Sequence, residues 1–549
     1  MKTAYLGPDD VDEDDLADLI LDYPMVDLAV DTETVSLKNR APIGVGIKFG
    51  PHRIYGALYP EMSPVIPAIM TRLADRRLTK VYHNSMFDLR VLAEFAEEEG
   101  FPAPDRINIE DTSLIAQLVG NRASLEWNSE HYNGYSNEYQ IKELLEGAGT
   151  GATMLDVSFH KVATKCMNDV QATYDILGPL TRSMDAGQRD CYRVDLRMAD
   201  ILLRMERKGF KLNGALLDYH RERLKREVLG YEETCSELGF NPGSPQQVGY
   251  ILASRGNLLP FTKSRRGLRT DEEALEELED PLAALILQYR GVRKLLGTYV
   301  EPWVGQSRAF THFRMDLSTA RLASYDRNLQ NVPPEMREVF VPDTGLFSWF
   351  DYGQLELRVL AYVSGDATMR EAYQLGHDLH AMTAEAGGVV RADGKTFNFA
   401  KVYGASDKML ARRTSVPKAR IPELRRAWDE LYPQAAQWIA HQQYGHEETV
   451  TNGYGRTMLL PQIEDRPETN VKAFEAHVGK CAVNYPIQSF AADLVKRAMV
   501  KLDSEGADIR LQLHDELILD GAYEFGVELS SIHPELHTPF ESHTEPIWK

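Results

Sequence analysis

Two aspartates that the sequence pattern places at strand ends carry the clearest chemical signal. Asp515 lies in His514-Asp515-Glu516 between two apolar triplets, which predicts the tip of a β-hairpin. Asp351 ends a strand-like run that starts at Phe347. Aspartates on neighbouring strand ends can hold two divalent metal ions roughly 3.5–4 Å apart, the arrangement that serves in-line phosphoryl displacement. A hairpin turn with exposed acids is the alternative, so the surrounding motifs decide the interpretation.

A second pattern combines positive charge with aromatic rings. Arg391, Lys395, Phe399 and Tyr403 are each four residues apart. At about 100° per residue, all four share one face of a helix. Two cations followed by two rings would suit a triphosphate and then a base. The alternative is a core stripe whose basic side chains extend to the solvent.

A third signal comes from two amides in a long helical stretch ahead of the predicted hairpin. Asn484 and Gln488 are four residues apart in the run Asn-Tyr-Pro-Ile-Gln. Amides on such a helix could contact a duplex minor groove, where base-edge acceptors are common to all pairs. Contacts of this kind recognise shape without sequence, as an enzyme that copies a template requires.

A separate set of acids lies in the first third of the chain. Asp31 and Glu33 are two residues apart at the end of a predicted strand, so alternation points both carboxylates to one face. Asp88 and Asp169 follow within the same predicted α/β unit. Four acids in one such unit can bind two metal ions, although acidic strand ends are frequent without any metal.

The hydropathy pattern predicts the elements that position these residues. Residues 26–185 are typical of an α/β unit, with strands at 26–30 and 43–49. A long helical stretch over 190–235 is broken at Gly209. The remaining predictions are helix over 272–300, short strands over 310–360, helices over 366–445, a helix over 465–505 and a hairpin around Asp515.

The net charge of −21 argues at face value against a nucleic-acid partner, but the charges are segregated. Residues 1–35 contain eleven acids and one lysine, whereas residues 391–426 contain ten basic residues and three acids. Residues 263–269 add four more bases. Local basic surfaces determine phosphate binding, so DNA remains a compatible partner. The alternative is that each charged run is a solvated helix face.

Length and composition narrow the class of protein. A chain of 549 residues predicts three to four domains, and 43% hydrophobic residues are ordinary for a globular protein. No apolar run reaches the roughly 18 residues of a membrane span. The acidic N-terminus lacks the apolar region of a secretory signal and is too acidic for a transit peptide. The four cysteines form no CxxC pair, which predicts neither a zinc site nor disulfides and favours the cytoplasm.

Three of these segments together resemble the family A (Pol I-like) DNA polymerases. The run DYGQLELR, from Asp351, is similar to their motif A. The run RADGKTFNFAKVYG, from Arg391, is similar to motif B, and LHDEL around Asp515 to motif C. The compact layout is phage-like, so the resemblance implies the cytoplasm of a host cell as the location.

The resemblance implies a role for each of these positions. Asp351 and Asp515 would bind two Mg²⁺ ions, with Mn²⁺ as a substitute, and Lys395 would also protonate the leaving group. Glu356 would exclude a ribose 2′-hydroxyl. The nucleotide-binding residues would be Arg391, Lys395, Phe399, Tyr403, Glu356, His380 and Gln354. The DNA-binding residues would be Arg321, Gln488, His514, Asn484 and Asn331, with Glu516 supporting the site.

The N-terminal acids resemble those of the DEDD-type 3′–5′ exonuclease domain that precedes many of these polymerases. In that case Asp31, Glu33, Asp88 and Asp169 would bind two further Mg²⁺ ions. The family commonly has a tyrosine four residues before the last aspartate, which orients the attacking water, and here that position is Lys165. A lysine is a poorer group for orienting water, so we predict an active but slowed exonuclease that Lys165→Tyr would accelerate.

The fold class that follows is an α/β, ribonuclease H-like exonuclease domain and then an α+β polymerase "right hand" with thumb, palm and fingers. The tail after Asp520 is shorter than is usual in the family, which predicts trimmed palm elements. The expected boundaries are an acidic leader at 1–25, the exonuclease domain at 26–185, the thumb at 186–312, the palm at 313–362 and 446–549, and the fingers at 363–445.

Alternatives differ in which site works. A DNA-binding exonuclease with a vestigial polymerase, or a nonenzymatic replication scaffold, would need broken motifs, yet Asp351, Lys395 and Asp515 are all present. A slowed exonuclease with a dominant polymerase also stays open. A single-subunit RNA polymerase conflicts with Glu356 and with the attached exonuclease. The expected partners are primer–template DNA and dNTPs, without a membrane, for a monomer that works beside unidentified replication proteins.

Overall fold

The computed structural model describes residues 2–8, 10–36, 39–135, 139–262, 264–465 and 470–548. Its N-terminal part is the predicted α/β unit. The elements of this part are β1 (Thr3–Leu6), α1 (Leu16–Asp22), β2 (Asp27–Thr34), β3 (Pro42–Phe49), β4 (His52–Ala57), α2 (Ile66–Ala74), β5 (Thr79–Tyr82), α3 (Ser85–Glu99), β6 (Ile109–Asp111), α4 (Thr112–Leu118), α5 (Leu125–Asn133), α6 (Ile141–Ala148) and α7 (Phe159–Ser183).

The sheet of this part is mixed and has the strand order β1-β4-β3-β2-β5-β6 among the described residues. β2 pairs antiparallel with β3 and parallel with β5, so it lies inside the sheet, and α7 packs on β2 and β3. The strands predicted at 26–30 and 43–49 are therefore confirmed. The position of β2 brings its acidic end beneath α7.

The acidic segment predicted as a leader, 1–25, is part of this unit. Its β1 pairs with β4 along the edge of the sheet, and its α1 packs on α2. Leu16 and Ile20, four residues apart, lie on one face of α1 and are buried. The prediction of a separate leader is wrong because burial of this apolar face fixes the segment despite the acids on its other side.

A long helical region follows, with a break at the predicted position. Gly209 has φ +56°, and a Cβ there would lie 2.6 Å from the carbonyl oxygen of Ala309, so only glycine fits. A π-helical turn covers Leu295–Val300, and Lys263 of the basic run lies outside the described residues. The elements are α8 (Ala186–Lys208), β7 (Phe210–Leu212), α9 (Gly214–Glu237), α10 (Pro245–Ser254), α11 (Glu272–Glu276), α12 (Pro281–Lys294), β8 (Arg308–Ala309), β9 (His312–Arg314) and β10 (Ala323–Tyr325).

The C-terminal part combines a sheet with a cluster of helices. Residues 466–469, at the start of the helix predicted over 465–505, lie outside the described residues. The elements are α13 (Pro334–Arg337), β11 (Phe340–Val341), β12 (Phe347–Tyr352), α14 (Leu355–Ser364), α15 (Ala367–Gln374), α16 (Leu379–Gly387), α17 (Arg391–Tyr403), α18 (Asp407–Arg413), α19 (Ile421–Leu431), α20 (Pro433–Gly445), β13 (Thr449–Thr451), β14 (Thr457–Leu459), α21 (Val471–Ser504), β15 (Ile509–Leu513), β16 (Glu516–Asp520) and β17 (Phe540–Glu545).

The main sheet of this part is antiparallel in the order β15-β16-β12-β17. The predicted hairpin is confirmed, with Leu513 opposite Glu516 across a two-residue turn. The tail after Asp520 still contributes a strand, because β17 pairs with β12 over its whole length. The strand that ends near Asp351 thus lies between two partners and is held rigidly.

The predicted helical region over 366–445 is confirmed as a cluster from α15 to α20. In it α16 and α17 pack closely at Gly394, where a Cβ would lie 2.5 Å from the carbonyl oxygen of His380. A continuous hydrophobic core extends from Leu16 to Trp548 and includes residues of all three parts. Among the described residues, no helix is both long and apolar enough to span a membrane.

Candidate active sites

The hairpin turn and the end of β12 bring Asp515 and Asp351 together. Asp351 is opposite Glu516 in the pairing of β12 with β16, and the Tyr352 amide donates to the Asp515 carbonyl oxygen at 3.3 Å. His514 has φ +56°, the left-handed conformation that a tight two-residue turn requires. The two aspartates predicted from sequence therefore form one site at the edge of the sheet.

The electrostatics of this site favour a cation. Burial raises the pKa of Asp515 to about 7, with further contributions from the charges of Glu356 and Asp351 that Arg321 opposes in part. Burial also raises the pKa of Asp351. Burial raises the pKa of the neighbouring Glu516 to about 7. Carboxylates crowded in this way are the oxygen donors that hard divalent ions take, so the residues present fit such an ion.

Glu356 joins the helices on either side of this site. Its carboxylate is buried at the start of α14, and both of its oxygens accept from the Tyr403 hydroxyl at 2.8 Å. Arg321 donates to the same carboxylate. Gln354, which caps α14 with φ +55°, accepts from the Tyr373 hydroxyl at 3.2 Å. Sequence reasoning identified Glu356, Tyr403 and Arg321 separately, and the structure brings them into one hydrogen-bonded group.

The four residues predicted to share a helix face all lie on α17. Arg391, Lys395 and Tyr403 are exposed and Phe399 is half-buried, so the core-stripe alternative is wrong. Arg391 donates from Nε to Asp378 at 2.5 Å. This exposed face presents two cations and then two rings, in the predicted order.

His380 lies beneath that face. Its imidazole is buried on α16, its centroid is 5.9 Å from that of Phe399, and its Nδ1 is 3.1 Å from the Asn398 amide nitrogen. Burial lowers the pKa of His380, so the ring is neutral at pH 7. His380 therefore packs behind Phe399 and reaches a nucleotide only if this packing opens.

The predicted DNA-contacting residues fall into two groups. Arg321, Asn331, His514 and Asp515 line one groove beside the hairpin turn. Gln488 is buried on α21, and Asn484 lies one turn earlier on the same helix. The described lining of the groove does not include either of these amides. The first group thus shares a surface with Asp515, whereas the second group lies on α21 outside the described lining of this groove.

Sequence reasoning missed the contact that fixes the hairpin. The Gln330 amide donates to the Gln512 carbonyl oxygen at 3.0 Å and to its side-chain oxygen at 2.9 Å. Gln512 in turn donates to the His514 carbonyl oxygen inside the turn. The alternation of β15 shows which face Gln512 occupies, but a partner 182 residues away leaves no local signal.

The second site lies under α7 in the N-terminal part. Asp31, Glu33 and Cys166 each offer one ligand atom, and these atoms lie within 4.8 Å of one another. Asp88 accepts at one oxygen from the Thr32 amide at 2.9 Å and from its hydroxyl at 2.7 Å. Burial raises the pKa of Asp88 to about 7 despite these bonds. The alternation that predicted a shared face for Asp31 and Glu33 is confirmed.

Lys165 lies in the middle of these acids. Its Nζ donates to Glu33 Oε1 at 2.8 Å and to Asp169 Oδ2 at 2.6 Å. Burial lowers the pKa of the ammonium, but the charges of Glu33, Asp169 and Asp31 outweigh this effect and raise the pKa well above its usual value. The lysine is a charged partner of two predicted metal ligands, so their oxygens fit a full two-metal set poorly.

Cys166 is a neighbour of this site that sequence reasoning missed. Its Sγ lies 3.3 Å from Asp31 Oδ2, and burial raises the pKa of the thiol well above its usual value, so it stays protonated. The cysteines were considered only as possible metal or disulfide pairs. Its position next to Lys165 on α7 was the available signal.

The fold and the two acidic sites define a nucleic-acid polymerase with an attached nuclease domain. Residues 215–534 match the sequence model of DNA polymerase family A, and residues 11–185 match that of the 3′–5′ exonuclease domain. The chain therefore belongs to DNA polymerase family A and carries an N-terminal 3′–5′ exonuclease domain. The predicted family and fold class are confirmed. Both groups of enzymes generally depend on divalent metal ions.

Bacterial relatives support this assignment. DNA polymerase I of Caldicellulosiruptor bescii is 33% identical over 372 residues, which cover 60% of this chain and 43% of the relative. That of Pseudomonas aeruginosa is 27% identical over 552 residues, covering 90% and 59%. That of Geobacillus stearothermophilus is 29% identical over 569 residues, covering 95% and 63%. The chain spans less than two thirds of the length of these relatives.

A solved structure supports the fold. The polymerase domain of Pol1 from M. smegmatis, in complex with a DNA primer–template and a dNTP, aligns with a TM-score of 0.76. The alignment covers 98% of this chain and 99% of that one at 21% sequence identity. At this level of identity the similarity shows a shared fold.

Proposed function

We propose that this protein extends a primer on a DNA template with dNTPs and removes nucleotides from the 3′ end at its N-terminal site. The observation that carries the first activity is the placement of Asp515 in the hairpin turn beside the end of β12 that holds Asp351. Glu356 connects this site to α17 through the Tyr403 hydroxyl. The proposed domains are the exonuclease domain at 26–185, extended by 1–25, the thumb at 186–312, the palm at 313–362 and 446–549, and the fingers at 363–445.

At the polymerase site Asp351 and Asp515 would hold two Mg²⁺ ions, or Mn²⁺ in their place. These ions would supply charge stabilisation for nucleotidyl transfer. Arg391 and Lys395 bind the triphosphate, and Lys395 protonates the leaving pyrophosphate. Phe399 packs on the incoming sugar and base.

The remaining predicted residues position the substrates. Tyr403 and Glu356, joined by their hydrogen bonds, border the nascent base pair, and Glu356 excludes a ribose 2′-hydroxyl. Gln354 borders the fingers side of the nucleotide pocket, and His380 would contact the nucleotide once its packing behind Phe399 opens. The residues that contact the primer-terminal duplex are Arg321, Asn331, His514, Gln488 and Asn484, and Glu516 supports the aspartates.

The net charge of the chain is compatible with a DNA partner because residues 391–426 carry ten bases against three acids, a local positive excess. We propose that the enzyme acts as a monomer in the cytoplasm, where its template and dNTPs are found. The acidic remainder of the surface limits nonspecific binding and makes DNA affinity strongly dependent on salt.

A 5′-labelled primer on a longer template tests both activities at once. With Mg²⁺ and dNTPs the primer should lengthen, and without dNTPs it should shorten. Asp515→Asn, which keeps the side-chain volume, should abolish extension and spare shortening, whereas Asp31→Ala should do the reverse. Loss of both activities in either variant would contradict the proposal of two independent sites.

A further inference from the structure

We infer that Lys165 is a built-in cation of the N-terminal site: it stands where one of two divalent ions would bind, so the site takes a single ion. This inference rests on the proposed exonuclease function of that site. It concerns the number of ions bound, and it supplies a physical reason for a slow exonuclease.

The ammonium of Lys165 bridges one oxygen from each of two acids. One Nζ binds Glu33 Oε1 at 2.8 Å and Asp169 Oδ2 at 2.6 Å, and it thereby joins β2 to α7. A Mg²⁺ ion shared by two carboxylates would need their oxygens at about 2.0–2.1 Å. The ammonium and a metal ion would use the same oxygens and the same space between them, so they exclude each other.

The three bridged side chains are almost inaccessible to water, which holds the ammonium in place. The side chains of Lys165, Glu33 and Asp169 are 9%, 5% and 16% exposed. Breaking a buried ion pair leaves an uncompensated charge away from water, so the lysine cannot swing aside at little cost. Because Lys165 and Asp169 are one helical turn apart on α7, the helix itself holds the ammonium against the carboxylate.

The remaining donors are enough for one ion. Asp31 and Glu33 each offer a carboxylate oxygen, and these two atoms lie within 4.8 Å of one another and of the Cys166 sulfur. One divalent ion together with the ammonium already balances most of the charge on four acids. A second divalent ion would make this desolvated site cationic, which burial disfavours.

The chemical consequence follows from what an ammonium offers. It donates hydrogen bonds and neutralises charge, but it has no open coordination position and cannot acidify a bound water. Lys165 therefore stabilises the acidic site and supports folding, while excision depends on the single remaining ion. The slowed exonuclease predicted from sequence is a direct result.

Counting bound Mn²⁺ in the full-length chain tests this inference. The chain carries Asp351→Asn and Asp515→Asn, which remove the metal ligands of the polymerase site. EPR of free Mn²⁺ gives the number of ions bound per chain. The decrease in this number on adding Asp31→Ala is the number of ions at the N-terminal site. At the N-terminal site we expect one ion per chain with Lys165 in place, one with Lys165→Arg, and two with Lys165→Met. In chains with an intact polymerase site, excision should rise at least about tenfold in Lys165→Met. Lys161→Met, an exposed change on the same helix, should alter neither value.

The outcomes separate this inference from the proposed function. Two ions in the parent, or one ion in a folded Lys165→Met chain, would contradict the inference that Lys165 takes the place of one divalent ion. If Lys165→Met does not fold, two ions in Lys165→Arg would overturn it equally. If Asp31→Ala changes neither the ion count nor excision, the exonuclease assignment itself fails.

Discussion

Glu356 is the side chain on which the polymerase site converges. It is buried, yet its partners come from β-rich and helical segments far apart in sequence, through Tyr403 on α17 and Arg321 near β10. A carboxylate held by two partners has a fixed position. Fixed placement is what a group needs if it excludes a substrate by contact with one hydroxyl.

Glu356→Ala should therefore relax sugar discrimination. Removing the carboxylate opens space beside the proposed sugar position and frees Tyr403, so ribonucleotides gain access. We expect the ratio of kcat/KM for dNTP over rNTP to fall at least about tenfold, or about 1.4 kcal/mol. Steady-state incorporation of single nucleotides measures this ratio.

The matched control for this substitution is Glu371→Ala, an exposed glutamate on α15. It should leave the ratio unchanged. An unaltered ratio in Glu356→Ala itself would assign sugar selection to another residue.

At the residue scale, the periodicity of the sequence predicted the relative positions of side chains that belong to the same helix or strand. Alternation placed Asp31 and Glu33 together, and four-residue spacing placed Arg391 and Lys395 on the exposed face of α17. These patterns could not predict the ion pair between Lys165 and Glu33, which are 132 residues apart in the sequence. Long-range ion pairs depend on how elements pack, and packing leaves no periodic signal.

At the element scale, a buried ionic cluster joins three parts of the chain. Arg456, in the turn between β13 and β14, donates to Asp195 on α8 at 2.9 Å and to Asp493 on α21 at 2.6 Å. Lys496 donates to Asp195 at 2.8 Å. Two acids and two bases, all nearly inaccessible to water, thus balance each other's charge. The cluster fixes α8, which leads out of the exonuclease domain, against the long helix α21.

Asp195→Asn should destabilise the fold. The substitution keeps the volume but leaves Arg456 and Lys496 with excess buried positive charge, which costs about 3–5 kcal/mol. Urea unfolding at pH 7 measures the change in the free energy of unfolding. Asp200→Asn, at a more exposed ion pair on the same helix, should cost no more than about 1 kcal/mol; equal effects would show that the cluster does not matter.

The same variant should reveal a pH dependence. Burial alone would raise the pKa of Asp195, but Arg456 and Lys496 outweigh it and lower the pKa to about 2, from an ordinary value of 3.8. A depressed pKa gives stability that is present above pH 3.8 and is lost as pH falls towards 2. The difference in unfolding free energy between parent and Asp195→Asn should therefore shrink between pH 4 and pH 2, and a constant difference would contradict the assignment.

The elements themselves were predictable where one face is clearly apolar or a glycine is required. The break at Gly209, the helix α17 and the hairpin around Asp515 all follow from local sequence. The strands β1 and β17 did not, because both are edge strands whose partners lie 47 or more residues away. The acidic composition of residues 1–25 gave no indication of β1, and the short tail after Asp520 gave no indication of β17.

At the scale of the whole molecule, charge distribution governs access to DNA. The segments predicted as thumb and fingers meet through ion pairs: Arg412 on α18 binds Glu273 on α11 at 2.5 Å and lies 3.6 Å from Glu277. Lys408 lies 3.9 Å from Glu277. Both bases belong to the basic run over 391–426, so acids of another segment neutralise part of the surface that the sequence assigned to DNA. Composition gives the number of bases but not which of them are paired.

Glu273→Gln with Glu277→Gln should therefore strengthen DNA binding. Releasing Arg412 and Lys408 makes two more cations available to phosphates, and each additional phosphate contact steepens the dependence of log K on log salt by about 0.9. We expect affinity for a primer–template to rise several-fold at 50 mM salt and the gain to shrink at 300 mM, as measured by fluorescence anisotropy. Glu272→Gln with Glu276→Gln changes the net charge equally on the same helix. A gain of the same size in that control would assign the effect to total charge, whereas a gain confined to the paired acids would show that DNA competes with a contact between thumb and fingers.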